Sequence, residues 1–266
     1  MIAPERYLPA VCQLVREVAH REIMPRFLNT DYAKKIDGSL LTEADVATQN
    51  ALIEGLSRII PFPVLGEEMT KEEQQRLWQA GGSGLWCIDP IDGTTNFIHG
   101  LPYFATSIAL MQNGRTVLGV IYNPVTNELF AAVKGKGATL NDKPLPLKTH
   151  IPRMCDAIAG VEIKWLAGKL PARLMSISPY GSQRNMGAST LDWCYTAAGR
   201  FDLYLHGGQK LWDYAAGSLI LEEAGGAMST LNMENFWEDQ VWTRSVVAAL
   251  QPTLFEPWKK WVWNNK

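Results

Sequence analysis

The chain has 266 residues, of which 47% are hydrophobic and 20% are charged, a composition typical of a soluble globular protein. Its 25 Lys and Arg residues nearly balance 27 Asp and Glu residues, so the net charge of −2 gives no overall attraction for nucleic acid or anionic membranes. Charges interrupt the N-terminus early, unlike a signal peptide, and no apolar run reaches the roughly 20 residues of a membrane span. We therefore expect a cytoplasmic protein with no membrane partner.

Three helices are predicted in the first part of the chain. Apolar residues at helical spacing predict an amphipathic helix over residues 7–24, which Pro25 ends. A second helix is predicted over residues 42–60, with Thr42 as its N-cap and an acidic residue three positions later. The charged segment 71–80 predicts a surface helix.

A central strand and a meander follow these helices. The apolar run 85–88 predicts a strand that stops at an Asp-rich loop. Three further short apolar segments, separated by turn residues such as Asn113-Gly114, predict an antiparallel meander. These segments are residues 106–111, 117–122 and 128–133.

The pattern changes near His150 to alternating strands and helices. A helix over 188–198 ends at Gly199, and a second helix begins at Asp213. The predicted strands are 157–161, 174–177, 201–205, 228–231 and 246–250. We therefore predict an α+β first half and an α/β second half. The Trp-rich segment 257–263 is expected to pack against the body of the protein or a subunit rather than on nucleic acid bases.

The spacing of the cysteines and histidines indicates the redox state of the thiols and argues against zinc chemistry. The four cysteines are far apart and form no C-x-x-C pair, which favours reduced thiols in a cytosolic protein. The four histidines show no H-E-x-x-H or other paired zinc spacing, which argues against a zinc hydrolase. The histidines are at positions 20, 99, 150 and 206.

The loop after the central strand carries two aspartates with a proline between them. Pro90 lacks an N–H and moves Asp89 out of the α region, so that both carboxylates and the Ile91 carbonyl are free to converge. Such oxygens are hard ligands suited to Mg²⁺. Gly93 allows close approach of a ligand to the backbone, and the following threonines predict a helix N-terminus that favours an anion. The alternative is an Asp-rich turn that only caps this helix.

Acids from distant parts of the chain lie where a predicted strand ends or a predicted helix begins. They are Glu67, the pair Asp89 and Asp92, and Asp213. If they meet, each pair of carboxylates at 4 Å costs about 4 kcal/mol at an effective dielectric of about 20, unless protons or dications bind. Two divalent ions would fit in-line displacement at phosphorus. The alternative is a set of unrelated helix caps, since Asp213 fits a helix start.

Three motifs taken together resemble the inositol monophosphatase family, in order and approximate spacing, from Thr42 to Gly226. The resemblance implies a layered αβαβα sandwich, the sugar phosphatase fold. It also implies a Mg²⁺-dependent, lithium-sensitive phosphomonoesterase that forms a homodimer. The motifs are Gly66-Glu67-Glu68, Asp89-Pro90-Ile91-Asp92-Gly93-Thr94-Thr95-Asn96, and Trp212-Asp213 through Gly225-Gly226.

The resemblance assigns roles to individual residues. Two or three Mg²⁺ ions would be bound by Glu67, Asp89, the Ile91 carbonyl, Asp92 and Asp213. The first half, residues 1–147, would thus supply the antiparallel sheet and most metal ligands, whereas residues 148–266 would supply Asp213 and the substrate pocket.

The resemblance also assigns the phosphate site and the proton transfers. The Gly93 and Thr94 N–H groups would bind phosphate, and the Thr94 hydroxyl with Glu67 would orient and deprotonate a metal-activated water. Asp45 resembles the family acid that hydrogen-bonds this threonine, with a capping-box acid as the alternative. Lys34 or Lys35 would approach the phosphate and a third metal, with a solvated lysine as the alternative.

The alcohol side of the site departs from the family. His206 stands where many members carry an acid that binds a substrate hydroxyl, and the segment from Gly160 to Pro171 is shortened. Hydrogen-bonding sites discriminate by leaving buried groups unpaired, so His206 is expected to change the preferred alcohol. Further candidate substrate-binding residues are Arg184, Ser189 and Gln209, together with Asp92, Gly93, Thr94 and Asp213.

The predicted function is hydrolysis of inositol monophosphate or a related sugar or polyol phosphate. The alternatives are a nucleotide 3′-phosphatase or a fructose-1,6-bisphosphatase of the same superfamily. A non-catalytic accessory factor in transcription or RNA processing is the alternative from another class. Such a factor would have nucleic acid or transcription-factor partners. The retained acids favour the catalytic function over this alternative.

Overall fold

The computed structural model describes residues 2–29, 31–35, 38–148 and 153–266. The change of pattern expected near His150 lies outside these residues. None of the helices formed by the described residues has the length and apolarity that a membrane span requires.

The N-terminal segment forms two packed helices and a hairpin. Helix α1 (Leu8–Val18) continues into a π turn and a 3₁₀ turn that end at Arg26, close to the predicted end. Strands β1 (Tyr32–Lys34) and β2 (Leu40–Thr42) pair antiparallel, a hairpin that the sequence did not predict. Helix α2 (Glu43–Ile59) begins at Thr42, whose capping box confirms the predicted N-cap.

The first sheet has seven strands among the described residues. Strand β3 (Val64–Gly66) precedes helix α3 (Lys71–Ala80) and pairs parallel with the central strand β4 (Leu85–Asp92). Each later strand pairs antiparallel with its predecessor, which confirms the predicted meander. The short helix α4 (Thr94–Ile98) follows β4. The remaining strands are β5 (Ala105–Gln112), β6 (Arg115–Asn123), β7 (Glu128–Val133), β8 (Ala138–Leu140) and β9 (Lys143–Pro144).

The second sheet is mixed, with described strand order β11-β10-β12-β14-β13. The central strand β12 pairs parallel with β10 and antiparallel with β14. The strands are β10 (Ile158–Glu162), β11 (Ser182–Arg184), β12 (Leu203–Gln209), β13 (Ala227–Ser229) and β14 (Arg244–Ala249). The helices are α5 (Leu170–Ser176), α6 (Ser189–Ala197), α7 (Leu211–Glu223) and α8 (Pro252–Asn265).

The strand predicted over residues 174–177 was wrong. This segment contains the end of α5, where Leu170 and Leu174 are buried while Met175 is 71% exposed. Burial therefore repeats every four residues, which is helical spacing, rather than every two. This four-residue segment, with three apolar residues, was too short to distinguish these periods.

In the described part of the chain, three apolar cores alternate with the sheets. Helices α1 and α2 cover one face of the first sheet, and α6 and α7 fill the space between the two sheets. Helices α5 and α8 cover the outer face of the second sheet, where Trp258 is fully buried. This order confirms the αβαβα sandwich, and the Trp-rich segment packs on the body as expected. The division of the chain at residue 147 stays a prediction.

Close contact between α7 and the first sheet positions the start of this helix. A Cβ on Gly119 of β6 would lie 2.9 Å from the Ala216 carbonyl oxygen, so glycine allows the backbones to approach. The Thr116 hydroxyl donates to the Ala215 carbonyl at 2.8 Å, and the Ser107 hydroxyl donates to the Trp212 carbonyl at 3.3 Å. Asp213 therefore lies directly over the end of the central strand.

Candidate metal centre and active site

A bulge at the end of β4 brings Asp89 and Asp92 together. In a regular strand, residues three apart point to opposite faces of the sheet. Here Asp89 is paired with Ser107 of β5 and Asp92 with Ala105, and the register shifts between the two pairs. The intervening Pro90 carbonyl accepts a hydrogen bond from the Thr106 hydroxyl at 2.8 Å. Such a bulge redirects side chains, so both carboxylates reach one point.

Asp213 completes a cluster of three acids. One carboxylate oxygen from each of Asp89, Asp92 and Asp213 lies within 4.8 Å of the others. Asp89 is 1% exposed, and its buried Oδ1 has no hydrogen-bond partner among the described residues. Such an atom costs free energy unless a donor or a cation satisfies it. The donor set consists of hard carboxylate oxygens, so these residues fit Mg²⁺.

The electrostatics of this cluster disfavour three bare negative charges. Burial, reinforced by the neighbouring carboxylates, raises the pKa values of Asp89 and Asp213 well above the usual range. Burial also raises the pKa of Asp92 to about 6, against the opposing effect of hydrogen bonds from Thr190. The cluster therefore binds either protons or cations, and binding of a dication would release protons.

Glu67 lies beside this cluster and is paired with a lysine. Its Oε1 is 3.0 Å from Lys35 Nζ, which is also 2.7 Å from Glu68 Oε2. Its charge contributes to the raised pKa values of Asp89 and Asp92, so the four acids share one electrostatic site. Of the two candidate lysines, Lys35 is the one that reaches the acids, whereas Lys34 is exposed in β1.

Two glutamines that the sequence analysis missed hold the loop at Glu67. Gln49 Oε1 accepts a hydrogen bond from the Glu68 N–H at 3.0 Å. Gln74 Nε2 donates to the Gly66 and Glu67 carbonyls at 2.9 and 3.1 Å. The sequence signal that could have identified Gln49 is its spacing of four residues from Asp45, which places both side chains on one face of α2.

A cavity of about 440 Å³ opens beside Asp92 and Asp213. Of the residues predicted for the alcohol side, Ser189 and His206 line it. Its wall also includes residues that the sequence analysis missed, namely Glu162, Trp165, Asp192, Lys210 and Thr243. The cavity is large enough for a small phosphate ester next to the acids.

His206 is a neutral group in this wall. It is 7% exposed, and burial lowers its pKa to about 3. Its Nδ1 accepts a hydrogen bond from the Gly208 N–H at 3.1 Å, which places the ring proton on Nε2. His206 therefore offers a substrate a neutral N–H donor rather than a negative charge.

The sequence model of the inositol monophosphatase family matches residues 4–264. The chain belongs to this family. It is 39% identical over 207 residues to a Nus factor SuhB of Pasteurella multocida, covering 74% of each protein. It is 34% identical over 240 residues to an inositol-1-monophosphatase of Mesorhizobium japonicum, covering 87% of each. The solved structure of a Thermotoga maritima IMPase superposes with a TM-score of 0.82 at 28% identity, over 97% of this chain and 96% of that one.

Two residues expected in the pocket of this family member lie elsewhere. Gln209 is buried, where its Oε1 accepts a hydrogen bond from Trp193 Nε1 at 3.1 Å. Arg184 lies on the edge strand β11, where it donates to the Ser182 hydroxyl at 2.7 Å. Among the described residues, neither lines the cavity beside the acids. Their proximity in sequence to other pocket residues therefore did not predict which side chains line the cavity.

The local contacts of Thr94 and Asp45 differ from those that the family resemblance implies. The Thr94 hydroxyl donates to the Ile91 carbonyl at 3.0 Å. Asp45 Oδ2 accepts from the Thr42 N–H at 2.7 Å and from the Thr42 hydroxyl at 2.6 Å. Asp45 thus forms the capping box that was the alternative for this residue, and burial raises its pKa to about 6. A catalytic role for Asp45 stays a prediction.

Gly93 forms the junction between β4 and α4. Its φ of +88° lies in the left-handed region, which glycine adopts without strain. A Cβ at this position would lie 3.0 Å from Ala188 Cβ and 3.1 Å from the Tyr103 carbonyl oxygen. Glycine therefore allows the tight turn that begins α4 next to the acids.

Proposed function

We propose that this chain is a Mg²⁺-dependent phosphomonoesterase that hydrolyses inositol monophosphate or a related sugar or polyol phosphate. The observation that carries the proposal is the cluster of Asp89, Asp92 and Asp213, with one buried oxygen that lacks a partner. Membership of the inositol monophosphatase family and the 34% identity to a relative named inositol-1-monophosphatase support it.

The acids bind the metal in this proposal. Asp89, Asp92 and Asp213, with Glu67 and the Ile91 carbonyl, would hold two or three Mg²⁺ ions. When bound, Mg²⁺ supplies positive charge at the phosphoryl oxygens and lowers the pKa of water, as phosphate-monoester hydrolysis needs.

Residues around the acids bind and orient the reactants. The N–H groups of Gly93 and Thr94, at the turn into α4, bind the phosphate. The Thr94 hydroxyl, with Glu67, orients and deprotonates the attacking water. Ser189 and His206 face the alcohol group of the ester from the cavity wall. The neutral His206 donor selects an alcohol whose acceptor oxygen it can bind.

The test is phosphate release from a panel of inositol, sugar, polyol, nucleotide and histidinol phosphates with Mg²⁺. We expect turnover that EDTA abolishes, Mg²⁺ restores and Li⁺ inhibits. Asp92→Asn should lower kcat/KM by at least about a hundredfold, since it removes a charged ligand of the cation that stabilises the phosphoryl oxygens. Asp142→Asn is the matched control, because Asp142 has a φ of +66° that asparagine also tolerates. Full activity of Asp92→Asn would show that the assignment of Asp92 is wrong.

An accessory role in transcription is a second candidate, favoured by the relatives named Nus factor. Such a role would need no intact acid cluster, whereas this chain retains every proposed metal ligand. The two functions separate in Asp92→Asn, which should lose hydrolysis but keep any protein partner captured by the wild type.

A homodimer is part of the proposal and is supported by the family resemblance. Two apolar side chains beside α4 are exposed, Leu101 at 53% and Met186 at 39%. Both contact Asn96 of α4, whose Nδ2 donates to the Met186 carbonyl at 2.8 Å and whose carbonyl accepts from the Leu101 N–H at 2.9 Å. Sedimentation equilibrium at micromolar concentration should give twice the chain mass, and a monomer would contradict this assignment.

A further inference from the structure

Asp92, at the end of β4 in the first sheet, caps the N-terminus of helix α6. Its Oδ2 accepts hydrogen bonds from the N–H of Thr190 at 2.7 Å and from the Thr190 hydroxyl at 2.6 Å. The Ser189 N–H is close enough to help lower the pKa of this carboxylate. These donors belong to the first turn of α6, where free N–H groups favour a negative charge. A residue at the end of β4 is thus attached to a helix 98 positions later in the chain.

We infer that Thr190 is a positioning residue for Asp92, which fixes the carboxylate so that Oδ1 faces the cation site. This inference rests on the proposed function in that Asp92 must bind the cation. A carboxylate oxygen has about two acceptor sites, and the two donors of Thr190 occupy both on Oδ2. Rotation about the Asp92 side chain would break both bonds, so the orientation of Oδ1 is determined before a cation arrives. Partners that orient ligands in this way affect metal affinity directly.

The same contact excludes the substrate from one side of Asp92. Asp92 lines the cavity, yet its Oδ2 is already saturated by Thr190. A hydroxyl of the alcohol group therefore finds no free acceptor on this oxygen. Thr190 was not identified from the sequence, because only folding brings it to Asp92.

The experiment measures Mn²⁺ binding by electron paramagnetic resonance, with no substrate present. Thr190→Val removes the hydroxyl and keeps the side-chain shape, whereas Thr190→Ser keeps the hydroxyl. Thr196→Val is the matched control, since Thr196 is buried on the same helix and its hydroxyl donates to the Asp192 carbonyl at 2.7 Å. We expect Thr190→Val to weaken Mn²⁺ binding by about tenfold to a hundredfold. Thr190→Ser and Thr196→Val should bind within about threefold of the wild type.

Equal Mn²⁺ affinity of folded Thr190→Val and Thr196→Val would overturn the inference. If Thr190→Val does not fold, Thr190→Ala removes the same hydroxyl without a branched side chain and carries the same expectation. Because binding is measured without turnover, the result is independent of hydrolysis. Mn²⁺ binding that depends on Thr190 in a protein without phosphatase activity would refute the proposed function only. The absence of any Mn²⁺ binding by the wild type would refute both.

Discussion

Lys35 Nζ lies 3.0 Å from Glu67 Oε1, so the ammonium group neutralises an acid proposed to bind metal. The same nitrogen is 2.7 Å from Glu68 Oε2, and both partners are largely shielded from solvent. Burial opposes the charge of Lys35, but the two carboxylates outweigh it and raise its pKa above the usual range. Lys35 is therefore a cation that an incoming Mg²⁺ must compete with at Glu67.

The first prediction follows from this competition. Lys35→Met should lower the Mg²⁺ concentration for half-maximal activity by about twofold to fivefold, the range expected for loss of a partly exposed ion pair. The measurement is a Mg²⁺ titration of phosphate release at constant ionic strength. Lys34→Met is the control, since Lys34 is exposed in β1, and should leave the titration unchanged. A higher Mg²⁺ requirement in Lys35→Met would contradict competition.

The second prediction is that Asp89 destabilises the metal-free protein. Its carboxylate is buried beside two other acids and has an oxygen without a partner. Asp89→Asn replaces the buried ionisable carboxyl with a neutral amide, which can donate to the neighbouring carboxylates. We expect a free energy of unfolding in EDTA about 1–3 kcal/mol higher than that of the wild type, with turnover lost. Urea unfolding at pH 7 measures the change, and a less stable variant would show that repulsion is not the dominant cost.

The third prediction concerns acid stability and His206. Burial lowers its folded-state pKa to about 3, whereas an unfolded histidine titrates near 6.5. The unfolded state therefore binds one more proton below pH 6.5, so the contribution of His206 is full above that pH and is lost as pH falls toward 3. Between pH 6.5 and 4.5 this loss amounts to about 2 kcal/mol.

A variant tests this dependence. His206→Phe should flatten the decline in unfolding free energy between pH 6.5 and 4.5 relative to the wild type. Denaturant titrations across this range provide the measurement. His99→Gln, at an exposed histidine, should retain the wild-type slope. An unchanged slope in His206→Phe would show that another group titrates in this range.

Local sequence rules predicted much of the fold because most elements carry their own signals. Thr42 closes the capping box that begins α2, and the turn at Asn113-Gly114 joins two meander strands as expected. The acid cluster was also predictable, since its members end strands or open helices. The prediction for the segment at Leu174 failed because four residues, three of them apolar, cannot define a period, and tertiary burial decided its conformation.

The contacts that orient the acids could not be derived from local pattern. Thr190 binds Asp92 across 98 positions, and Gln49 binds the Glu68 N–H across 19. Neither residue belongs to a recognised motif, and both are polar groups at positions where polarity is common. Such pairs become visible only when the packing of α6 and α2 against the sheet is known. The sequence also left the role of Asp45 open. Both the capping box at Thr42 and a hydrogen bond to Thr94 were possible for this side chain.

The fourth prediction concerns the contact that holds Asp213 over the central strand. Gly119→Ala places a Cβ 2.9 Å from the Ala216 carbonyl oxygen and 3.1 Å from Ala216 Cα, so α7 must move away from β6. Overpacking of this kind costs about 1–3 kcal/mol of unfolding free energy. Asp213, in the first turn of the same helix, should then move relative to Asp89 and Asp92.

Two readouts separate this displacement from simple destabilisation. Gly119→Ala should weaken Mn²⁺ binding at a temperature where the variant remains fully folded, since the three carboxylates no longer meet at one point. Gly82→Ala is the matched control, because a Cβ there meets no atom within 4 Å, and it should change neither stability nor binding. Wild-type Mn²⁺ affinity in a destabilised Gly119→Ala would show that the α7 contact supports the fold without positioning Asp213.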